Sequence, residues 1–182
     1  MLELNFKPFP TIETKRLVLR EIIKKDVDNF FLLRSNKDAM RFIDKPLAIS
    51  KDEIKTFIKY IDRKRKDNQA ISWGISLKGN TDLIGTISFH SIEKENHRAE
   101  LGYMLMPEYW NKGLISEAIP KVIDYGFKKM KLHSIAANIN PKHKVSRKVL
   151  EKFKFKKEAY FKENHFFNGL FLDTEIYSLL KS

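Results

Sequence analysis

The chain has 182 residues, 42% hydrophobic and 12% aromatic, enough to bury one sizeable core, and no break in composition divides it, so one domain spanning 1–182 is expected. It contains no cysteine, which excludes disulfides, thiolate metal sites and an acyl-cysteine intermediate; any acyl transfer must be direct. The net charge of +12, from 35 basic and 23 acidic residues, suits an anionic ligand, but the lysines are spread along the chain like a solvated surface rather than a nucleic-acid footprint.

Met1 to Thr14 lacks the basic cap and apolar core of a signal peptide, and no apolar run approaches the ~20 residues that cross a bilayer, so a cytoplasmic protein without membrane contact is expected. Leu17 and Leu19 alternate with Arg16, Val18 and Arg20, predicting an opening strand over about 11–23. Asp26 precedes Val27, Phe30 and Phe31 at helical spacing. Ser50 and Glu53 form a capping-box sequence ahead of Ile54, Phe57, Ile58 and Ile61, so two helical stretches follow the strand.

From Ile71 the period returns to two. Ile71, Trp73, Ile75 and Leu77, then Leu83 to Ile92, then Ala99, Leu101, Tyr103 and Leu105 predict three strands of an antiparallel meander. A loop at Pro107 to Gly113 leads into helical spacing from Ile115 to Met130, within which Pro120 predicts a kink or a loosened first turn. Ile135, Ala137 and Ile139 form another strand, and Val145, Val149, Leu150 and Phe153 another helix. The end reads as a hairpin, Phe155 to Phe167 and Leu170 to Leu180, around Asn168-Gly169. Hairpins first and helical crossovers later indicate an α+β mixed sheet.

Trp110 to Ala118 joins an apolar strand to an amphipathic helix, where free backbone N–H groups and the helix dipole attract phosphate. Gly113 would let the backbone approach an anion, and Lys112 would add charge; a turn glycine before a helix is the alternative.

Glu100 to Pro107, Trp110 to Ala118 and Ile123 to Phe127 together resemble the acetyl-CoA motif of the GNAT superfamily of N-acetyltransferases. Thr14 to Arg20 resembles the opening strand of the branch containing ribosomal-protein alanine and serine N-acetyltransferases. Leu132-His133, Asn140-Pro141, Ser146, Val149 to Lys152 and Phe155 resemble its second block. The resemblance implies a GNAT-type strongly curved mixed sheet of about seven strands, its central strands splayed, flanked by about four helices. It implies acetyl-CoA as co-substrate, no metal, an amine acceptor as partner, and a monomer or homodimer. The thioester arm would run beside Met104, Leu105 and Met106, and the pyrophosphate would sit over Lys112, Gly113, Leu114, Ile115 and Ser116. Lys142, Lys144 and Arg147 would reach the remaining phosphate or stay solvated. Trp110 stands where Gln or Arg is frequent, Asn111 and Lys154 where Gly is, and His143 where Asn is, which bears on its contact with the pantetheine.

A primary amine attacks a thioester only when neutral, so a base is required. Glu100 is the first candidate, since some family members carry a catalytic carboxylate there; pairing with Arg98 or a neighbouring strand is the alternative. Ser146 matches the serine that donates a proton to the thiolate in the ribosomal-protein branch, or else it satisfies an N–H of its helix. His165 stands where that branch has a water-orienting glutamate; it is either a base or a packed hairpin residue, with Glu163 a nearby substitute. Asn138 would bind substrate or CoA, or close a turn. The acceptor is then a protein N-terminus or a small amine such as a polyamine, antibiotic or amino-acid derivative. From a different class comes a non-catalytic CoA- or RNA-binding module, suggested by the eight Lys or Arg residues between Lys142 and Lys157; the aromatic strand signature of a common RNA-binding sheet is missing.

Overall fold

The computed structural model describes residues 1–181, which form a mixed sheet of eight strands whose order across the sheet follows the chain except that the last two are exchanged, with five α-helices. Against about seven strands and about four helices expected, the additional elements arise locally. The expected opening strand is broken into β1 (Ile12–Glu13) and β2 (Leu17–Glu21) by a turn in which Thr14 accepts the Leu17 N–H on its hydroxyl at 2.9 Å. Between α1 (Val27–Ser35) and α3 (Lys51–Lys66) lies α2 (Lys37–Met40), a single turn. It starts because Asn36 Oδ1 accepts the N–H groups of Asp38 and Ala39 at 3.0 and 2.9 Å. Ser50 caps α3 as expected, its hydroxyl accepting Glu53 N–H at 3.3 Å, while Glu53 reaches back one residue further, to Ile49 N–H at 2.9 Å.

The meander is β3 (Ile71–Leu77), β4 (Gly85–Glu93) and β5 (Arg98–Leu105), and its alternation buries Ile71, Trp73, Ile75, Ile87, Phe89, Ala99 and Leu101 on one face. That face packs against Leu114, Ala118, Ile119 and Val122 of α4 (Leu114–Lys128), which runs unbroken through Pro120. A second apolar cluster, with Phe30, Leu33, Ile54 and Ile58, seats α1 and α3. Next come β6 (Ser134–Ile139) and α5 (Lys144–Lys152), then the hairpin of β7 (Lys156–Phe167) and β8 (Leu170–Leu180). Asn168 and Gly169, at φ 48° and 79°, form its primed turn, which needs two left-handed residues.

The relation of β5 to β6 positions everything that follows. They pair in parallel only where Arg98 to Glu100 face Ser134 to Ala136. Beyond that, β5 continues along β4 to Leu105 while β6 continues along β8 to Ile139, and the two strands part.

Candidate active site

The cleft opened by this parting ends at the N-terminus of α4. Gly113 precedes the helix at φ 72°, a left-handed conformation that glycine enters freely. The first helical bond runs from Glu117 N–H to the Gly113 carbonyl at 3.1 Å, so the N–H groups of Leu114, Ile115 and Ser116 have no intrahelical acceptor. Donors in this arrangement fit a pyrophosphate. Asn111 explains its own departure from the family pattern: at φ 58° it holds a left-handed position that asparagine tolerates. Trp110 contributes no cation; its indole N–H pins the loop to the Leu105 carbonyl at 2.8 Å. Lys112 Nζ lies 5.3 Å from the centre of the Tyr109 ring.

Arg16, which the sequence reading placed only in the opening strand, stands at this loop. Its Nη1 donates to the Lys112 carbonyl at 3.0 Å, and its Nε donates to Glu117 Oε2 at 2.6 Å. Glu117 Oε1 also accepts the Thr14 hydroxyl at 2.6 Å and the Arg16 N–H at 2.7 Å. Burial alone would raise the Glu117 pKa, but these bonds prevail and hold it at about 2. A charged Glu117 thereby fixes the turn before β2 against the first turn of α4.

Along β5 the Met106 N–H is spent on the Ile84 carbonyl at 2.9 Å, on the β4 side. Backbone groups alternate edges along a strand, so those of Met104 and Met106 point to β4 and those of Tyr103 and Leu105 to the cleft. Side chains alternate as well. Leu105 and Met106 are buried in the two apolar clusters, with Met104 packed beside Met106.

Tyr103 points toward α5, where its Oη lies 2.8 Å from Ser146 Oγ. Ser146 is buried, and its N–H donates to His143 Nδ1 at 3.4 Å. Desolvation pushes the Tyr103 pKa up to about 12, against the opposing bond to Ser146, so the phenol stays protonated at neutral pH. Burial lowers the pKa of His143, keeping Nδ1 unprotonated and able to cap α5. Ser146 sits in the first turn of α5, but its hydroxyl meets Tyr103 rather than an N–H of the helix. Sequence reasoning singled out Ser146 and His143 but passed over Tyr103, whose signal was its place on the face of β5 opposite Glu100.

Glu100 occupies the last paired position before the strands part, and by alternation its side chain leaves the opposite face of β5 from Tyr103. Its Oε1 lies 3.4 Å from His90 Nε2 on β4; Arg98 instead donates to Ser178 Oγ at 3.4 Å. Asn138 is exposed on the stretch of β6 that pairs with β8, opposite Ile176, but no longer with β5. His165 is brought inward by a bulge: the register of β7 on β8 shifts between Phe161 and His165, with Glu163 at φ 51° and its N–H held by Asp173 Oδ1 at 2.8 Å. The bulge leaves Glu163 exposed and sets His165 Nε2 3.9 Å from Asp44 Oδ2. Arg147 is committed away from the phosphates, forked onto the buried Glu175 with Nη2 3.0 Å from each carboxylate oxygen, and Lys157 Nζ meets Glu175 at 2.9 Å. Lys142 and Lys144 are exposed. Among the described residues no group of three or more His, Asp or Glu side chains could hold a metal, and no helix is long and apolar enough to cross a membrane.

A mixed sheet that parts beside the N-terminus of a helix, with free N–H groups at one end and paired hydroxyls along the wall, defines a transferase site for a phosphorylated thioester. The chain belongs to the GNAT acetyltransferases: the model of the acetyltransferase (GNAT) domain matches residues 16–156. It is 35% identical over 173 residues to the uncharacterized N-acetyltransferase YoaA of Bacillus subtilis (strain 168), covering 95% of this chain and 98% of the relative. A GNAT-family acetyltransferase structure from Bacillus anthracis superposes with a TM-score of 0.82 at 31% identity, covering 94% of this chain and 98% of that one. The ribosomal-protein-S5-alanine acetyltransferase structure from Vibrio fischeri gives 0.83 at 27% identity, covering 94% and 96%. More distant structures of the same fold hold CoA or acetyl-CoA. The chain is thus an acetyl-CoA-dependent N-acetyltransferase of GNAT type.

Proposed function

We propose that the acceptor is the α-amine of a protein N-terminus, a ribosomal protein in the first instance, with Ser146 donating a proton to the departing thiolate. The observation that carries the proton-donor reading is the Tyr103–Ser146 hydroxyl pair at the point where the strands part. The amine nitrogen bonds to the thioester carbonyl carbon and the C–S bond breaks. Ser146 Oγ gives its proton to sulfur as it takes one from Tyr103, and the phenolate so formed, with a pKa of about 12, regains a proton from solvent before the next turnover. The acyl chain that best fits the family is acetyl.

Amine basicity favours an α-amine. At pH 7 roughly one in ten α-amines is neutral, against about one in 2,500 lysine amines. Glu100, beside His90 on the other face of β5, would take the proton of the attacking amine directly or through water, a task an α-amine makes light. The likeness to the Vibrio fischeri alanine acetyltransferase supports the same acceptor class. The test is free-thiol release from acetyl-CoA with peptides bearing a free α-amine, the same peptides blocked at the N-terminus but containing lysine, polyamines and aminoglycosides. Turnover confined to free N-termini is expected; turnover confined to polyamines or aminoglycosides would overturn the acceptor assignment.

A further inference from the structure

We propose that Phe42 is a positioning residue for acetyl transfer: stacked on His143, it fixes the cap from which α5 presents Ser146 to the cleft. The inference rests on the reading of Ser146 as proton donor.

Phe42 lies in the turn after α2, 101 positions before His143, yet the two rings stack with centroids 4.4 Å apart and planes at 21°. The cap bond alone defines the imidazole poorly, because 3.4 Å is long for an N–H donor. The opposite side of the first turn of α5 is already fixed, since Arg147 is forked onto Glu175 and donates to the Pro141 carbonyl at 2.9 Å. What remains to be set is the cap side, and Phe42 is the side chain stacked there. At the other end of the same segment Asp44 Oδ2 comes within 3.9 Å of His165 Nε2, a buried nitrogen with no hydrogen-bond partner among the described residues. The segment from Phe42 to Asp44 therefore spans from the cap of α5 to β7. A shift of the cap moves Ser146 N–H and, with it, the hydroxyl that meets Tyr103 at 2.8 Å. Proton transfer is sensitive to displacement on this scale.

The experiment compares F42L, F42Y and S146A in the full chain with two readouts. The first needs no acceptor: the imidazole resonances of His143 in 1H–15N spectra are expected to move in F42L and to return toward wild-type positions in F42Y. The second is thiol release from saturating acetyl-CoA with an alanine-initiated peptide. F42L is expected to lower kcat about tenfold with the acetyl-CoA KM within about twofold, and F42Y to restore most of it. Unmoved His143 resonances, or an unchanged kcat, in F42L would overturn the role of Phe42. A loss in F42L beside full activity in S146A would instead overturn the proton-donor reading on which it rests.

Discussion

Tyr103 Oη and Ser146 Oγ lie 2.8 Å apart, joining a strand and a helix separated by 43 positions at the place where β5 and β6 diverge. The bond places a buried serine hydroxyl, a poor acid by itself, next to a phenol that desolvation keeps protonated up to about pH 12. On the proposed mechanism the pair is a hydroxyl relay across the neutral range, and its geometry depends on how firmly α4 and α5 are held at their first turns.

For α4, that hold is electrostatic. The Glu117 pKa of about 2 lies below its ordinary 4.5, so the native state binds this proton less tightly than the unfolded chain. The stabilisation is complete above about pH 4.5 and is lost as pH falls through about 2. Arg16 is 45% exposed, so solvent screening reduces the contribution to about 1–2 kcal/mol. Urea unfolding is expected to show E117Q less stable than wild type by that amount at pH 7, with the gap narrowing steadily below pH 4.5. A gap independent of pH would contradict the charged role.

The C-terminus of α5 carries a correctable strain. Lys154 N–H donates to the Glu151 carbonyl at 2.9 Å and Phe155 N–H to the Leu150 carbonyl at 3.1 Å, a Schellman ending in which Lys154 adopts φ 66°. Phe155 and Leu150, both buried, close the motif. A left-handed lysine costs about 1 kcal/mol relative to glycine, part of which glycine returns in unfolded-state entropy. K154G is expected to gain about 0.5–1 kcal/mol and raise Tm by roughly 2–3 °C in a thermal scan. A lowered Tm would show that Lys154 makes a contribution beyond its backbone.

Elements whose signal is local were legible in the sequence. The alternation of Ile71, Trp73 and Ile75, the Asn168-Gly169 turn and the glycine ahead of α4 each act within a few residues, and each forms as expected. The break at Thr14 and the single turn of α2 escaped because backbone N–H groups donating to one hydroxyl and one side-chain carbonyl decide them. The site was legible in its chain order but not in its pairings. Arg147 reads as a phosphate cation until Glu175, 28 positions away, is folded against it. His90 meets Glu100 through register, Asp44 approaches His165 through a bulge, and Phe42 reaches His143 from the turn after α2. None of these contacts leaves a trace in spacing, because the sheet topology creates the proximity.

The most direct test of the central claim is to measure kcat for thiol release and the Kd for acetyl-CoA side by side in wild type, S146A and Y103F. The account predicts a loss of about a hundredfold in kcat for S146A and a smaller loss for Y103F, with Kd held within about twofold in both. Wild-type kcat in S146A would contradict it, and so would a loss in kcat matched by an equal weakening of acetyl-CoA binding, which would make Ser146 a binding residue rather than a proton donor.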